Sequence, residues 1–282
     1  MTRLGTALVL AAVTIFVTSL LVFATAPPRA GMSVEGPPLA QMPVVNATLP
    51  PEPARTIPRW GTGPLTQMYL RPDNIAMWSL LLALCGALVL YAAGVLWTQA
   101  AVEGHRLRPR SPRVEVDRRL HRLDNTVDEQ LPLLVALVAG AIWPWAAAVS
   151  PLAGLAVAVL TMSAALVAAT RGQRSGRVRA KNPAVSFLAG WATMAFYLQL
   201  ADLGADLLPV GPVVWTIAAL VMGSIAAAFL QLQLGRAAAY TVAVIWALVG
   251  IAGAMIGGAM AVTVTTVICI AALAFMLVRA AT

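Results

Sequence analysis

Long apolar runs alternate with short polar segments along almost the whole chain. Each run is about 20 residues long, and a helix of that length crosses the ~30 Å hydrocarbon layer of a bilayer. The runs occupy residues 6–25, 75–97, 131–149, 151–170, 184–203, 211–234, 238–256 and 259–278. The pattern predicts an all-α fold, a polytopic integral membrane helix bundle with about eight transmembrane spans.

The segments between the runs carry helix-start and turn signals. Only Ser150 and Pro151 separate the third run from the fourth, which predicts a tight helical hairpin. Asn182 is suited to cap a helix whose first residue is Pro183. These signals favour span boundaries where the apolar runs begin and end.

Basic residues are distributed unevenly between the predicted loops. Fifteen of the 19 lie in the segments 1–5, 98–130, 171–183, 235–237 and 279–282. The other four all precede the second run, and they are Arg29, Arg55, Arg59 and Arg71. Because cytoplasmic loops carry an excess of Lys and Arg, both termini are predicted to be cytoplasmic (N-in/C-in), with basic cytoplasmic loops at 98–130 and 171–183.

Three regions follow from this division. Residues 1–26 form an N-terminal membrane anchor span; its end, Ala24-Thr25-Ala26, resembles a signal-peptide cleavage site, but a following proline disfavours cleavage. Residues 27–74 are rich in proline and predict an extracytoplasmic linker. Residues 75–282 are predicted to form a seven-span helical membrane domain.

Composition supports the membrane class and narrows the partners. The chain is 60% hydrophobic and 11% charged, whereas soluble domains carry about 25% charged residues. The net charge of +8 lies in loops that suit anionic lipid headgroups and carry no nucleic-acid module. We expect membrane lipids and a small apolar ligand as partners, a homo-oligomer or membrane-complex partner as a further option, and a bacterial cytoplasmic (inner) membrane as the location.

No catalytic or metal-binding motif is present. His105 and His121 lie in one predicted cytoplasmic loop, and Cys85 and Cys269 lie singly in apolar runs. Neither hydrolase nor metal-ligand spacings occur. We therefore expect no enzyme activity, no metal site and no resident cofactor, with a bound tetrapyrrole or lipid as the one option.

The central parts of the spans contain no charged residue. Asp202 and Asp206 lie at the outer end of the fifth run, where an interfacial loop pair is the expected role. The alternative is contact with a ligand or cation at the outer mouth of the bundle.

Tryptophan is the most abundant aromatic residue. Five of the eight indoles fall near a predicted interface, as in an aromatic belt, and they are Trp78, Trp97, Trp143, Trp145 and Trp215. Trp191 and Trp246 lie deeper, at about 12 and 15 Å from the inner ends of their spans. These two indoles either pack between helices or line a cavity for a flat apolar ligand.

Two polar residues follow Trp191 on the same run. Tyr197 and Gln199 either bond to neighbouring helices or orient a ligand, because buried amides in lipid need partners. Tyr197 lies six residues after Trp191, so the two do not share a helical face.

Several stretches resemble one family. Residues 182–193, which include the pair Gly190-Trp191, resemble the opening of a helix in the longer tryptophan-rich sensory proteins, relatives of the translocator protein (peripheral benzodiazepine receptor). Trp215 and residues 240–251 are similar to later helices of that family, and residues 74–78 to an early segment. The resemblance implies an all-helical receptor whose Trp-lined cavity binds porphyrins, sterols or similar molecules. Trp191, Trp246 and Trp78 would then line the cavity.

The sequence thus predicts a membrane receptor, sensor or carrier-like protein that binds a flat apolar ligand, tetrapyrrole or sterol-like, in a Trp-lined intramembrane cavity. The predicted ligand-binding residues are Trp191, Trp246, Trp78, Tyr197 and Gln199. The alternative is a non-catalytic accessory or structural subunit of a larger membrane complex.

Overall fold

The structure, a computed structural model, describes residues 3–26, 64–72, 74–104, 113–174, 182–208, 211–234, 238–255 and 259–281. Within these ranges the chain forms nine helices and no strand. They are α1 (Arg3–Thr25), α2 (Pro64–Leu70), α3 (Ile75–Gly104), α4 (Arg113–Val149), α5 (Pro151–Arg174), α6 (Pro183–Leu207), α7 (Pro212–Leu234), α8 (Ala238–Ala254) and α9 (Met260–Ala281). The all-α prediction is confirmed.

The helices match the apolar runs closely. Seven of those in the described ranges are long and apolar enough to cross a membrane, namely α1, α3, α4, α5, α6, α7 and α9. Helix α8 is a shorter apolar helix of 17 residues, about 26 Å long and at the lower limit for a span. The protein is a polytopic integral membrane helix bundle.

Helices α1 and α4 run side by side in the same direction. The Ser19 hydroxyl donates a hydrogen bond to the Ala141 carbonyl oxygen at 2.7 Å. One turn further along both helices, the Phe23 ring meets the Trp145 indole edge-on, with 5.3 Å between centroids. Parallel packing is what first and third spans require when successive spans alternate in direction.

Helices α3 and α8 run in opposite directions. The Asn74 amide nitrogen donates to the Gly250 carbonyl oxygen at 3.0 Å, and the Trp246 indole N–H donates to the Ser79 hydroxyl at 3.1 Å. Rising residue numbers on α3 therefore meet falling numbers on α8. This is the direction that second and seventh spans require, so α8 follows the alternation although it is short.

Helix α6 is the central element of the bundle. The helix begins where the sequence predicted. The Asn182 side chain accepts a hydrogen bond from the Ala184 N–H at 3.1 Å, and Pro183 is the first helical residue. It packs against α2, α3, α5, α7 and α8. The most hydrophobic stretch of α6 is 83% buried inside the protein, against at most 50% for any other candidate span of the described ranges. Most side chains in this stretch of α6 are therefore covered by protein.

Two segments differ from the sequence prediction. Residues 64–70, the end of the predicted linker, form α2, whereas 27–63 lie outside the described residues. Helix α3 continues to Gly104 and α4 begins at Arg113, so helix occupies much of the predicted loop 98–130. Hydropathy marks only the apolar part of a helix, and Arg, Glu and Leu favour helix outside the membrane as well.

Candidate functional site

Trp191 lies at the centre of an aromatic cluster in the bundle. Its side chain is 1% exposed. The Phe16 ring from α1 and the Trp143 indole from α4 meet it edge-on, with centroids at 5.8 and 5.5 Å and ring planes at 85° and 80°. The Tyr69 ring from α2 stacks on it at 5.8 Å with 23° between the planes. We call these four residues the Trp191 cluster.

Tyr69 makes a second contact with the same residue. Its hydroxyl donates a hydrogen bond to the Trp191 carbonyl oxygen at 3.1 Å. Tyr69 is 2% exposed, and burial raises the pKa of its phenol well above the usual value because the charged form would lose its hydration. The neutral phenol is therefore the form that fits this position.

Asp202 on α6 holds the other end of α2. Its two carboxylate oxygens accept hydrogen bonds from the backbone N–H groups of Leu65, at 3.1 Å, and Thr66, at 2.7 Å. The first N–H groups of a helix have no partner within the helix. The carboxylate supplies partners for two of them from a residue more than 130 positions away in sequence.

The expected role of Asp202 as an interfacial loop carboxylate is wrong. The residue lies within α6 and is 4% exposed, while Asp206, one turn further along, is exposed. The sequence placed both residues at the end of an apolar run, where no pattern signals that a helix from another part of the chain covers one of them.

The two deep indoles predicted from sequence belong to separate contacts. Trp246 is half-buried; it meets the Phe187 ring edge-on at 6.4 Å and bonds to Ser79. Phe187 precedes Trp191 by one turn of α6, so the Trp246 contact adjoins the Trp191 cluster. Trp78, at the start of α3, is partly buried and packs against the core.

Tyr197 and Gln199 point in different directions from α6. The Tyr197 ring lies beside Gly223 of α7, where a Cβ atom would come within 3.2 Å of it. Gln199 is 1% exposed, and its side-chain oxygen has no hydrogen-bond partner among the described residues. Whether any of the five predicted residues binds a ligand stays a prediction.

Sequence reasoning missed Phe16, Tyr69 and Trp143. Trp143 was assigned to an aromatic belt, yet it is 1% exposed, whereas Trp145 is 38% exposed. Residues two apart on a helix differ by about 200° in direction, so one of these two indoles had to face the bundle. That spacing was the available signal; Phe16 and Tyr69 had none.

These features define an all-helical membrane protein whose central helix carries a buried aromatic cluster. The family model described as TSPO-like protein matches residues 75–279, and the chain belongs to that family. The match agrees with the resemblance to tryptophan-rich sensory proteins, and α1 and α2 lie before its first residue. No curated protein and no solved structure matches the chain significantly.

Proposed function

We propose that this protein is a membrane sensor or receptor that binds a flat apolar molecule, tetrapyrrole or sterol-like, against the Trp191 indole. We further propose that it works by binding rather than by catalysis, in a bacterial cytoplasmic membrane. Membership of the TSPO-like family supports a sensing or binding role.

One observation carries the proposal. A broad face of the Trp191 indole is covered by the Tyr69 ring at 5.8 Å and 23°. Tyr69 belongs to a helix of seven residues, whereas the edge-on neighbours Phe16 and Trp143 belong to long helices. A flat ligand that replaced Tyr69 would stack on the same face, and aromatic stacking contributes ~0.5–1.5 kcal/mol beyond area burial.

Displacing α2 has a cost that sets the expected affinity. Leu65, Tyr69 and Leu70 are each at least 93% buried, and full burial of an apolar side chain is worth ~1.5–3 kcal/mol. Apparent affinity falls in proportion to the fraction of molecules with the site open. We expect micromolar rather than nanomolar binding for a ligand that gains only apolar contacts.

The test is a titration of the purified full-length protein in mild detergent with octaethylporphyrin, a flat tetrapyrrole without ionised side groups. Tryptophan emission and porphyrin absorbance are followed together. We expect both signals to change saturably with porphyrin concentration in the unaltered protein. In Trp191→Phe the affinity should be at least tenfold lower. Trp97→Phe is the matched control, because Trp97 is 81% exposed on α3 and should bind as the unaltered protein does.

A Trp246→Phe variant tests whether the ligand also reaches the adjoining contact. Absence of saturation in the unaltered protein, or equal affinities in Trp191→Phe and Trp97→Phe, would contradict the proposal.

A further inference from the structure

We infer that the ligand of the Trp191 site pairs a flat aromatic part with an ammonium or amidinium group, and that Asp202 is the anchor for that group. This inference rests on the proposed function and adds the chemical class of the ligand. In the structure, α2 occupies the same site as an intramolecular substitute.

Trp191, Gln199 and Asp202 share one face of α6. Successive helical residues turn by 100°, which puts the three within an arc of about 80°. Along the axis, Gln199 and Asp202 lie about 12 and 16 Å from Trp191, towards the outer end of the helix. The face therefore runs from an aromatic surface near the middle of the span to a carboxylate near its end.

The contacts of α2 reveal what this face accepts. Two N–H groups meet the Asp202 carboxylate, and an aromatic ring covers Trp191. A ligand that displaces α2 has to replace both contacts, because a buried carboxylate left without donors is strongly unfavourable. A cationic N–H donor replaces them and adds a direct attraction between opposite charges, which is stronger in a protein interior than in water.

Gln199 gives an independent indication of a missing donor. Its side-chain oxygen is buried on this face, and no described residue donates to it. Unpaired amide groups are costly in a membrane interior, where water supplies no substitute. Helix α2 donates to Asp202 and covers Trp191, but it does not donate to the Gln199 oxygen. A ligand group with several N–H donors could therefore bond to Asp202 and to Gln199, which lies one turn before it on α6.

Arg71, which follows α2 directly, is directed elsewhere. The Arg71 guanidinium lies over the Phe23 ring of α1, 4.8 Å from its centroid. The donors to the carboxylate that the described structure shows are neutral groups of α2, among them the backbone N–H groups of Leu65 and Thr66. A cation at Asp202 would therefore introduce a charge pair that α2 does not provide.

Three probes that share the same aromatic ring and differ in the charge of their end group separate the effect of charge from the effect of shape. They are 4-(1-pyrenyl)butylamine, 4-(1-pyrenyl)butanol and 4-(1-pyrenyl)butyric acid, measured by energy transfer from tryptophan to pyrene. The full-length protein is used in a neutral maltoside detergent, so that no anionic lipid attracts the amine. We expect the amine to bind at least tenfold more tightly than the alcohol, and the acid to bind most weakly.

Two variants assign this preference to Asp202. Asp202→Asn should reduce the amine-to-alcohol ratio to about one, because the neutral amide cannot pair with the ammonium. Asp206→Asn removes an exposed carboxylate one turn away and should leave the ratio unchanged. Loss of the ratio in Asp206→Asn with retention in Asp202→Asn would overturn the assignment.

A third variant keeps the inference testable if Asp202→Asn fails to fold. Tyr69→Ala removes the ring of the substitute and leaves Asp202 intact, so all three probes should bind more tightly and keep their order. Equal affinities for amine and alcohol in both the unaltered protein and Tyr69→Ala would refute the inference. If the alcohol still binds saturably and Trp191→Phe abolishes that binding, the proposed function is retained although the further inference fails. If none of the three probes binds saturably, the proposed function and the further inference both fail.

Discussion

Gly190 and Trp191 are neighbours on α6, yet they serve different contacts. Trp191 faces α1, α2 and α4 through the rings of its cluster. Gly190 faces α8, where the Tyr240 carbonyl lies so close that a Cβ atom could not be accommodated without backbone movement. The Gly-Trp pair thus combines a close helix approach on one side with a large ring on the other.

Replacing Gly190 with alanine should destabilise the protein. The added methyl group would meet the backbone of α8, and overpacking of this kind costs ~1–3 kcal/mol. We expect a lower thermal midpoint in detergent, followed by tryptophan fluorescence or by aggregation on heating.

Gly94→Ala on α3 is the control for Gly190→Ala. Apart from its chain neighbours and the backbone of α3 itself, no described atom lies within 4 Å of a Cβ at that position, and alanine is the better helix former by about 1 kcal/mol. The thermal midpoint of this variant should stay the same or rise. Equal thermal midpoints for the two alanine variants would show that the close approach of α6 to α8 does not restrict the side chain at position 190.

Depth along a span could be read from the sequence, but direction around the helix axis could not. The depth argument singled out Trp191, which is buried in the bundle. It misassigned Trp143, because an indole near the interface can face either lipid or protein. The hydropathy of a run that is apolar on every side does not distinguish these directions.

At the scale of elements, α2 differs from the spans in what stabilises it. Seven residues are too few for an isolated helix in water, since helices shorter than ~12–15 residues are marginal. Its position depends on Asp202 at one end and Trp191 at the other. Span boundaries were predictable because bilayer thickness fixes the apolar length, whereas α2 depends on partners that its own sequence does not reveal.

Alkaline pH should loosen α2 through Tyr69. The folded state holds the phenol proton more tightly than the unfolded chain does, because burial raises its pKa. Stability is therefore retained below the unfolded tyrosine value of ~10 and is lost as pH rises through the higher folded pKa. Thermal midpoints measured from pH 8 upwards should fall above pH ~10.

Tyr69→Phe should show a smaller fall above that pH, since phenylalanine keeps the stacking ring and cannot ionise. Its midpoint at neutral pH should be slightly lower, because the hydrogen bond to the Trp191 carbonyl oxygen is lost. Parallel pH curves for the two proteins would exclude Tyr69 as the source of the effect.

At the scale of the whole molecule, helix directions support the predicted count of spans. Parallel α1 and α4 and antiparallel α3 and α8 both follow from spans that alternate in direction as far as α8. The asymmetry of the basic residues predicts which side is cytoplasmic. The spans were predictable because apolar length can be read directly from the sequence, whereas the orientation stays a prediction from charge asymmetry.

Cysteine labelling tests the orientation directly. In a Cys85→Ala, Cys269→Ala background, Ser150→Cys should react with a membrane-impermeant maleimide added to intact cells. Ser175→Cys and Thr282→Cys should react only in inverted vesicles, because their segments are predicted to be cytoplasmic. Labelling of Thr282→Cys in intact cells would contradict eight crossings and favour seven.

The separation between α2 and its acceptor has a consequence for biogenesis. Thr66 is synthesised 136 residues before Asp202, an interval of about 7–27 s at roughly 5–20 residues per second. During translation the segment therefore leaves the ribosome, and on the predicted topology crosses to the outer side of the membrane, long before its docking surface exists. A nascent chain that stalls between α5 and α6 would leave the α2 segment undocked. We expect proteases to cleave this exposed segment.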